Sequence, residues 1–363
     1  MTLGVLALLG SGEIAPSMTK VHRQLLKRLE GARAVSLDTA YGFQANVPQM
    51  TEKIVEYFAT SLRLDIKPLH FISFEGSSEV ERAVFRQEVR AANYVFAGPG
   101  SPSYAVHQWA PLGIDEDLRG TLQGAGVLCF ASAAALTLGS LTVPVYEIYK
   151  VGTKPHWLPG LDVLSMAGIR GAVIPHYDNA EGGNYDTRFC YLGEERLLEL
   201  EHQLPDDTGI LGVDEHTAGI IDLEHNTLSV LGKGGVYWRR HGSTRTFSSG
   251  STVDLEEIQN FTPDATTVRS EPAIDQSDLD TLVALAGQGG PASAEAIASL
   301  ARRATTGGAG YIDPTDLVSG LLDLRVKARS ERNFSLADEI RDVIVAAGID
   351  VMDTPAGSTW SIK

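Results

Sequence analysis

The chain has 363 residues, of which 43% are hydrophobic and 21% charged, so it is long enough for two domains with sizeable cores. Its formal net charge of −16 argues against broad non-specific binding to nucleic acid or to an anionic membrane, although it leaves room for a local basic patch. The two cysteines, Cys129 and Cys190, are too few for a disulfide framework or a zinc site, and their apolar neighbours predict buried, reduced thiols in a cytoplasmic protein.

The first predicted element is a short apolar run from Val5 to Leu9. This run lacks a positively charged flank and is too short for a signal peptide or a membrane span, so we interpret it as a buried strand that ends in a glycine turn. Similar runs at 32–38, 94–100, 126–132 and 171–177 alternate with helical patterns. Such alternation predicts an α/β fold with a mostly parallel sheet that helices cover on both sides.

The composition changes near residue 245, which we predict as the end of a first domain at residues 1–245. Within it, residues 217–240 have the pattern of three antiparallel strands joined by tight turns. Residues 246–275 are rich in Ser, Thr, Asp and Pro and predict a linker. Helical patterns then predict a small, mainly α-helical domain at residues 276–363, which closes with a strand, a turn and a strand.

Two segments of the first domain have the composition of an acyl-transfer site. A Gly-rich turn at residues 98–102 offers backbone N–H groups to an oxyanion, and Gly100 is the better donor because Pro99 has no N–H. Ser132 stands where an apolar strand passes into a helix and is followed by Ala133, which suits a nucleophile on a sharp turn. Each segment also fits an ordinary tight turn.

A base and a carboxylate are available at the ends of two further strands. His176 follows an apolar strand and a proline, and Asp214, Glu215 and His216 follow another strand. Strand ends of parallel sheets meet at one edge, so a Ser–His–carboxylate set is geometrically natural there. The alternative is that His176 is a hydrogen-bonded rim residue and that Asp214 or Glu215 belongs to a turn.

The order of GPGSP, ASA, PHYDNA and GVDEH resembles the peptidase S51 family, which includes dipeptidase E and cyanophycinase. The opening turn GSGE is similar to that family's first loop. The resemblance implies a class I glutamine-amidotransferase-like fold, a three-layer α/β structure. It also implies that Ser132 is the nucleophile, His176 the base and Glu215 its orienter, with N–H groups of Gly100 and Ala133 in the oxyanion hole. The expected function is a serine-type hydrolase of a peptide or amide bond that needs no cofactor or metal.

The resemblance covers roughly residues 1–240 and includes departures at the elbow. Phe130 and Ala134 stand where the family has the two glycines of GxSAGA. A bulky Phe130 could alter the turn or fill the pocket, so a non-catalytic ligand-binding protein is the alternative function. Cysteine is absent at position 132, which argues against glutamine amidotransfer.

The loop after His176 has residues suited to a peptide-like substrate. Glu181, Tyr185 and Arg188 lie in a glycine-flanked acidic and aromatic stretch that could bind a carboxylate or an amine. The alternative is a surface loop with a local Asp–Arg pair. Substrate identity and homo-oligomerisation stay open at this point.

The last 45 or so residues resemble the C-terminal end of bacterial cysteinyl-tRNA synthetase, through the pattern AR..RNF..ADEIRD......GI...DTP.G..W. The resemblance implies tRNA as a candidate partner. Arg325, Arg329 and Arg332 have helical spacing, and Trp360 could stack on an unpaired base. A structural or protein-binding role is the alternative. Because the chain lacks the synthetase nucleotide-binding signatures, we do not expect it to charge tRNA.

Overall fold

The computed structural model describes residues 2–263, the helical positions 322, 325, 326, 329, 334, 337, 338 and 341, and residues 349–354 and 357–362. Contacts divide the chain into two units, Met1–Asp264 and Ala265–Lys363. None of the helices in the described parts combines the length and apolar character needed to cross a bilayer.

The first unit alternates strands and helices. Its strands are β1 (Val5–Leu9), β2 (Ala34–Leu37), β3 (Ile66–Leu69), β4 (Tyr94–Ala97), β5 (Val127–Ala131), β6 (Leu141–Thr142), β7 (Leu158–Pro159), β8 (Gly171–Ile174), β9 (Gly209–Val213), β10 (Thr217–Asp222), β11 (Thr227–Gly232), β12 (Gly235–Arg240), β13 (Ser243–Ser248) and β14 (Thr252–Asp254). Its helices are α1 (Thr19–Leu26), α2 (Val47–Tyr57), α3 (Glu79–Ala91), α4 (Pro102–Trp109), α5 (Ile114–Gln123), α6 (Ala133–Leu136), α7 (Gly193–His202) and α8 (Glu256–Gln259).

The main sheet has eight strands in the order β14-β11-β10-β1-β5-β4-β2-β3. The five strands from β1 to β3 in this order are parallel, whereas β10, β11 and β14 are antiparallel to their neighbours. Every residue of β1 and β5 is buried, as expected of central strands covered on both faces. The predicted α/β fold class is confirmed.

A second, six-stranded sheet runs in the order β13-β12-β9-β8-β6-β7. Its middle strands β6, β8 and β9 are parallel, and its edges are antiparallel. The sequence analysis predicted β8, β9 and β12 of this sheet as strands, but it predicted one mostly parallel sheet, because apolar periodicity does not identify pairing partners. Leu6 and Leu8 on one face of β1 share a core with Val173 and Trp238 of the second sheet. Residues of α3, α4 and α5 belong to the same core, so these helices and the second sheet together cover this face.

Helices cover the other faces of both sheets. Val5 and Ala7 on the opposite face of β1 pack in a core with Val21 of α1 and Ile54 of α2. The far side of the second sheet packs against Leu197 and other residues of α7. These layers leave the carboxyl ends of β1, β4, β5, β8 and β9 to carry the loops discussed below.

The prediction of a linker at residues 246–275 is wrong for residues 246–259. Residues 246–259 complete β13 and form β14 and α8 of the first unit. Phe247, Leu255 and Ile258 are at most 4% exposed and belong to the core, and they tie this Ser- and Thr-rich segment to the sheets. The composition misled because Ser and Thr occur in edge strands as well as in linkers. The rest of the predicted linker, from residue 264, lies outside the described residues.

The second unit ends in an antiparallel pair, β15 (Ile349–Thr354) and β16 (Gly357–Ile362), with Val351 opposite Trp360. The two strands agree with those predicted for the end of the sequence. The eight helical positions between 322 and 341 agree with the predicted helical character, and the remainder of residues 276–348 lies outside the described residues.

Candidate active site

Ser132 occupies a sharp turn between β5 and α6. Its backbone has φ 49° and ψ −124°, a conformation that a residue with a Cβ rarely adopts and that costs on the order of 1–3 kcal/mol. Its amide donates a hydrogen bond of 3.1 Å to the carbonyl oxygen of Leu9, which ties the turn to the end of β1. Strain of this kind needs tertiary support, and it is a feature of nucleophile elbows.

The ring of His176 links Ser132 to Glu215. Its Nε2 lies 2.9 Å from Oγ of Ser132, and its Nδ1 lies 2.7 Å from Oε1 of Glu215. A carboxylate only accepts hydrogen bonds, so Nδ1 carries the proton and Nε2 accepts from the Ser132 hydroxyl. The structure therefore brings together three side chains that are 44 and 39 positions apart along the chain.

Glu215 is held as a carboxylate by its neighbours. The hydrogen bond from His176 is the main cause that lowers the pKa of Glu215, and the side-chain amide of Asn179 adds a second one of 3.1 Å. Asp178 accepts from the Glu215 amide at 2.7 Å, which orients the backbone. The sequence analysis did not single out Asp178 or Asn179, and their place in the PHYDNA segment with His176 was the signal available.

Asp214, the other carboxylate considered, makes structural hydrogen bonds and does not contact His176. Its Oδ2 accepts hydrogen bonds from the amide of Gly235 at 2.7 Å and from the hydroxyl of Tyr237 at 2.9 Å. Burial raises the pKa of Asp214. These bonds join the end of β9 to β12, so Glu215 and not Asp214 faces His176.

The two residues proposed as oxyanion donors lie beside the elbow. Ala133 is the first residue of α6, directly after Ser132. The carbonyl oxygen of Gly98 accepts from the amide of Ala134 at 3.2 Å, which places the Gly-rich turn against α6. Gly100 has φ 144°, and a Cβ there would lie 1.9 Å from the carbonyl oxygen of Ala40. This position therefore requires glycine, while the oxyanion role of both residues stays a prediction.

Phe130 does not enter the space between Ser132 and His176. It is fully buried in the core that α3, α4, α5 and the second sheet cover, and its ring centroid lies 6.1 Å from that of Trp109 in α4. The phenylalanine thus fills a core position, and the hydrogen bond of Ser132 to His176 forms in its presence.

Arg188 makes the local ion pair that was the alternative to substrate binding. Its Nε and Nη2 donate to Oδ1 and Oδ2 of Asp186 at 2.9 and 2.7 Å, and Glu194 lies 3.6 Å from Nη2. The guanidinium beside Asp186 holds the pKa of that carboxyl far below its usual range. A bidentate pair of this kind neutralises the arginine.

Glu181 and Tyr185 lie among tyrosines next to the site. The hydroxyl of Tyr191 donates to Oε2 of Glu181 at 2.6 Å, and the hydroxyls of Tyr185 and Tyr149 are 2.8 Å apart. Tyr185 is 58% exposed. Their predicted contact with a substrate stays a prediction.

A left-handed turn at Phe189, Cys190 and Tyr191 supports His176. The three residues have φ of 59°, 57° and 67°, although none is glycine. The amide of Cys190 donates to the carbonyl oxygen of His176 at 3.1 Å, and the Tyr191 ring centroid lies 6.3 Å from that of His176. Sequence patterns contain no signal for such a turn, because its strain is offset only by tertiary contacts.

A cavity of about 900 Å³ opens next to the Gly-rich turn. Ser101 at the end of that turn lines it, and Ser103 donates a hydrogen bond of 2.6 Å to Glu147 in its wall. Phe43 and Tyr104 form an aromatic side, with ring centroids 5.2 Å apart. The cavity is large enough for a peptide side chain, and Ser101 in its wall directly follows Gly100 in the chain. Within the described residues, no group of three or more His, Cys, Asp or Glu could hold a metal ion.

One of the arginines predicted to bind RNA is buried. Arg325 is 1% exposed, so its guanidinium does not reach the surface as a phosphate contact requires. Arg329 is helical and exposed. Arg332 and the side chain of Trp360 lie outside the described residues.

Known proteins resemble different parts of the chain. The fold of a peptidase from an acI-B1 Actinobacterium aligns with 70% of this chain and 97% of its own, with a TM-score of 0.56 and 20% identity, which shows a shared fold. The cysteine–tRNA ligase of Nitratidesulfovibrio vulgaris is 49% identical over 51 residues, 14% of this chain and 10% of the ligase. That of Leifsonia xyli subsp. xyli is 32% identical over 197 residues, 50% and 41% of the two chains.

The chain thus spans about a tenth to two fifths of the length of these ligases. No family model matches the sequence.

Proposed function

We propose that the first unit is a serine-type hydrolase, of the peptidase S51 type, that cleaves a peptide or amide bond. The observation that carries this proposal is the hydrogen-bonded chain from Ser132 through His176 to Glu215, built on a positive-φ elbow. The fold shared with a protein described as a peptidase is in accord with it. The departures from the family motif weigh less, because Phe130 packs in the core.

In the first step, Oγ of Ser132 attacks the carbonyl carbon of the scissile bond, and its proton passes to Nε2 of His176. The carboxylate of Glu215, 2.7 Å from Nδ1, stabilises the imidazolium that forms. The negative charge that develops on the carbonyl oxygen is bound by N–H groups of Gly100 and Ala133.

In the second step, His176 returns the proton to the leaving amine, and the amine departs from an acyl-enzyme on Ser132. Water then attacks the acyl carbon while His176 accepts its proton. His176 passes that proton to Oγ of Ser132 as the carboxylic acid leaves, which restores the free enzyme. Asn179 and Asp178 are positioning residues in this scheme, since they contact Glu215 and not the reacting atoms.

The test is labelling of the full chain by a fluorophosphonate serine-hydrolase probe, read by intact mass. We expect one adduct on the wild type and on Ser249→Ala, a control at an exposed serine, and none on Ser132→Ala or His176→Ala. Absence of the adduct from the wild type, or its persistence on Ser132→Ala, favours instead the non-catalytic ligand-binding alternative.

For the second unit we propose a docking role toward tRNA, supported by the short matches to cysteine–tRNA ligases. Among the arginines of this predicted stripe that the structure describes, Arg329 is exposed. Binding of bulk tRNA by the full chain should weaken as salt rises and should fall further in Arg329→Ala with Arg332→Ala. An affinity that neither salt nor the double substitution changes argues for a protein-binding or structural role.

A further inference from the structure

The solvent-facing side of α1 carries three cations at helical spacing. Lys20 and Arg23 lie in the helix, and Lys27 directly follows its last residue. All three side chains are exposed, whereas the opposite side of the helix, at Val21 and Leu25, is buried in the core. We call these three cations the α1 stripe. The amphipathic pattern of α1 therefore presents a row of positive charges to solvent.

No carboxylate of the first unit neutralises the α1 stripe. Among the residues of this unit that the structure describes, none forms an ion pair with a member of the stripe. Nη2 of Arg23 donates a hydrogen bond of 2.9 Å to the carbonyl oxygen of Ser61, which is a neutral acceptor. Arg28 differs, because its Nη2 lies 2.6 Å from Oδ2 of Asp222. The positive charge of the stripe is therefore available to a ligand.

A cavity of about 670 Å³ lies along the α1 stripe. Six residues line it: Pro16, Thr19, Lys20, Arg23, Gln24 and Lys27. Lysine, arginine, threonine and glutamine side chains are among those that contact phosphate oxygens and sugars in nucleic-acid complexes. The six residues include no aromatic or large aliphatic side chain, the type that anchors most protein partners. The composition of this cavity therefore favours a phosphate backbone over a protein surface.

The spacing of the α1 stripe also fits a phosphate backbone. Seven helical residues advance about 10 Å along the axis, so Lys20 and Lys27 span a distance over which one nucleic-acid strand places about three phosphates. Residues 14–29 contain no Asp or Glu, although the chain has 46 acidic and 30 basic side chains. Because the net charge of −16 repels a polyanion from most of the surface, a local basic row determines where such a ligand can approach.

We propose that the α1 stripe is an RNA-binding surface of the first unit, which contacts the phosphate backbone of tRNA. The choice of tRNA rests on the docking role proposed for the second unit, whereas the charges and the cavity belong to the first unit. Contacts of this kind position a nucleic acid without reading its bases. The stripe therefore contributes affinity that is independent of base sequence and sensitive to salt.

The experiment measures binding of bulk tRNA to the full chain by fluorescence anisotropy at several salt concentrations. We expect Lys20→Ala with Lys27→Ala to weaken binding roughly tenfold at about 100 mM salt and to reduce the slope of log Kd against log salt by about two, one for each phosphate contact. The control, Lys67→Ala with Lys154→Ala, removes the same charge at two exposed lysines outside the cavity. Because Lys67 is already paired with Glu88 at 2.8 Å, this variant should bind as the wild type does.

If the wild type binds tRNA and the variant at Lys20 and Lys27 binds equally well, the α1 stripe has no role in RNA binding. A loss in Arg329→Ala with Arg332→Ala upholds the docking role of the second unit in that case. An equal loss in the control variant also overturns the role of the stripe, because it shows a general effect of charge. A wild type that binds no tRNA refutes both proposals. Binding of poly-L-glutamate in its place would assign the cavity to an acidic protein partner.

Discussion

The ring of Phe130 on β5 packs against the indole of Trp109 on α4 in a shared core, with ring centroids 6.1 Å apart. Both side chains are fully buried. Phe130, two positions before the proposed nucleophile, is thus part of the core that packs against β5, the strand that leads into the elbow.

Phe130→Ala should therefore destabilise the protein without improving catalysis. Removal of a buried phenylalanine ring costs about 3–5 kcal/mol, because the cavity left behind collapses only in part. Urea unfolding followed by tryptophan fluorescence measures this loss, and the fluorophosphonate labelling rate should not exceed that of the wild type. Faster labelling of Phe130→Ala would mean that the phenylalanine obstructs the site.

Glu215→Gln should lower kcat by about 10⁴-fold with a smaller change in KM, because an amide can donate to Nδ1 and select the wrong tautomer of His176. Steady-state kinetics on a fluorogenic amide substrate that the wild type cleaves measures this. Glu224→Gln, at an exposed turn residue, is the matched control and should behave as the wild type. A loss of less than tenfold in Glu215→Gln would remove Glu215 from the proposed triad.

The contact between His176 and Glu215 should also make the stability of the fold depend on pH. The hydrogen bond from His176 lowers the pKa of Glu215 below its ordinary value of 4.5. A carboxyl with a lowered pKa in the folded state stabilises the fold above its unfolded pKa, and this contribution disappears as pH falls through the folded value. The difference in unfolding free energy between wild type and Glu215→Gln should be present at pH 7 and should shrink below about pH 4.5. A difference that is constant down to pH 3 contradicts this linkage.

Gly100→Ala should reduce both activity and stability. The added Cβ would lie 1.9 Å from the carbonyl oxygen of Ala40, so the turn must move and carry the proposed oxyanion donor with it. We expect kcat to fall about 10²-fold or more, the usual effect of losing one such donor. Gly120→Ala in α5, where a Cβ meets nothing within 4 Å, should keep full activity and gain a little stability, since alanine favours helix. Equal behaviour of the two variants would show that the Gly-rich turn is not rigid.

The local elements of the first unit follow from the amino-acid sequence alone. The apolar runs of β1 and β5, buried along their whole length, and the capping box of Ser78 with Glu81 at the start of α3 depend on contacts within a few residues. The candidate residues Ser132, His176 and Glu215 were also found in the sequence, through the order of short motifs. The strands and the capping box are encoded by neighbours along the chain, whereas the roles of Ser132, His176 and Glu215 were predicted from the resemblance to a known family.

Contacts between distant segments required the tertiary structure. The second sheet and the pairing of β14 with β11 in the main sheet depend on how segments of the first unit pair and pack, so local patterns alone could not establish them. The direction of Phe130 is decided in the same way, since a side chain on a strand faces the core or the cleft according to the packing of distant layers. Long-range packing, and not local composition, therefore separates a core residue from a residue of the site.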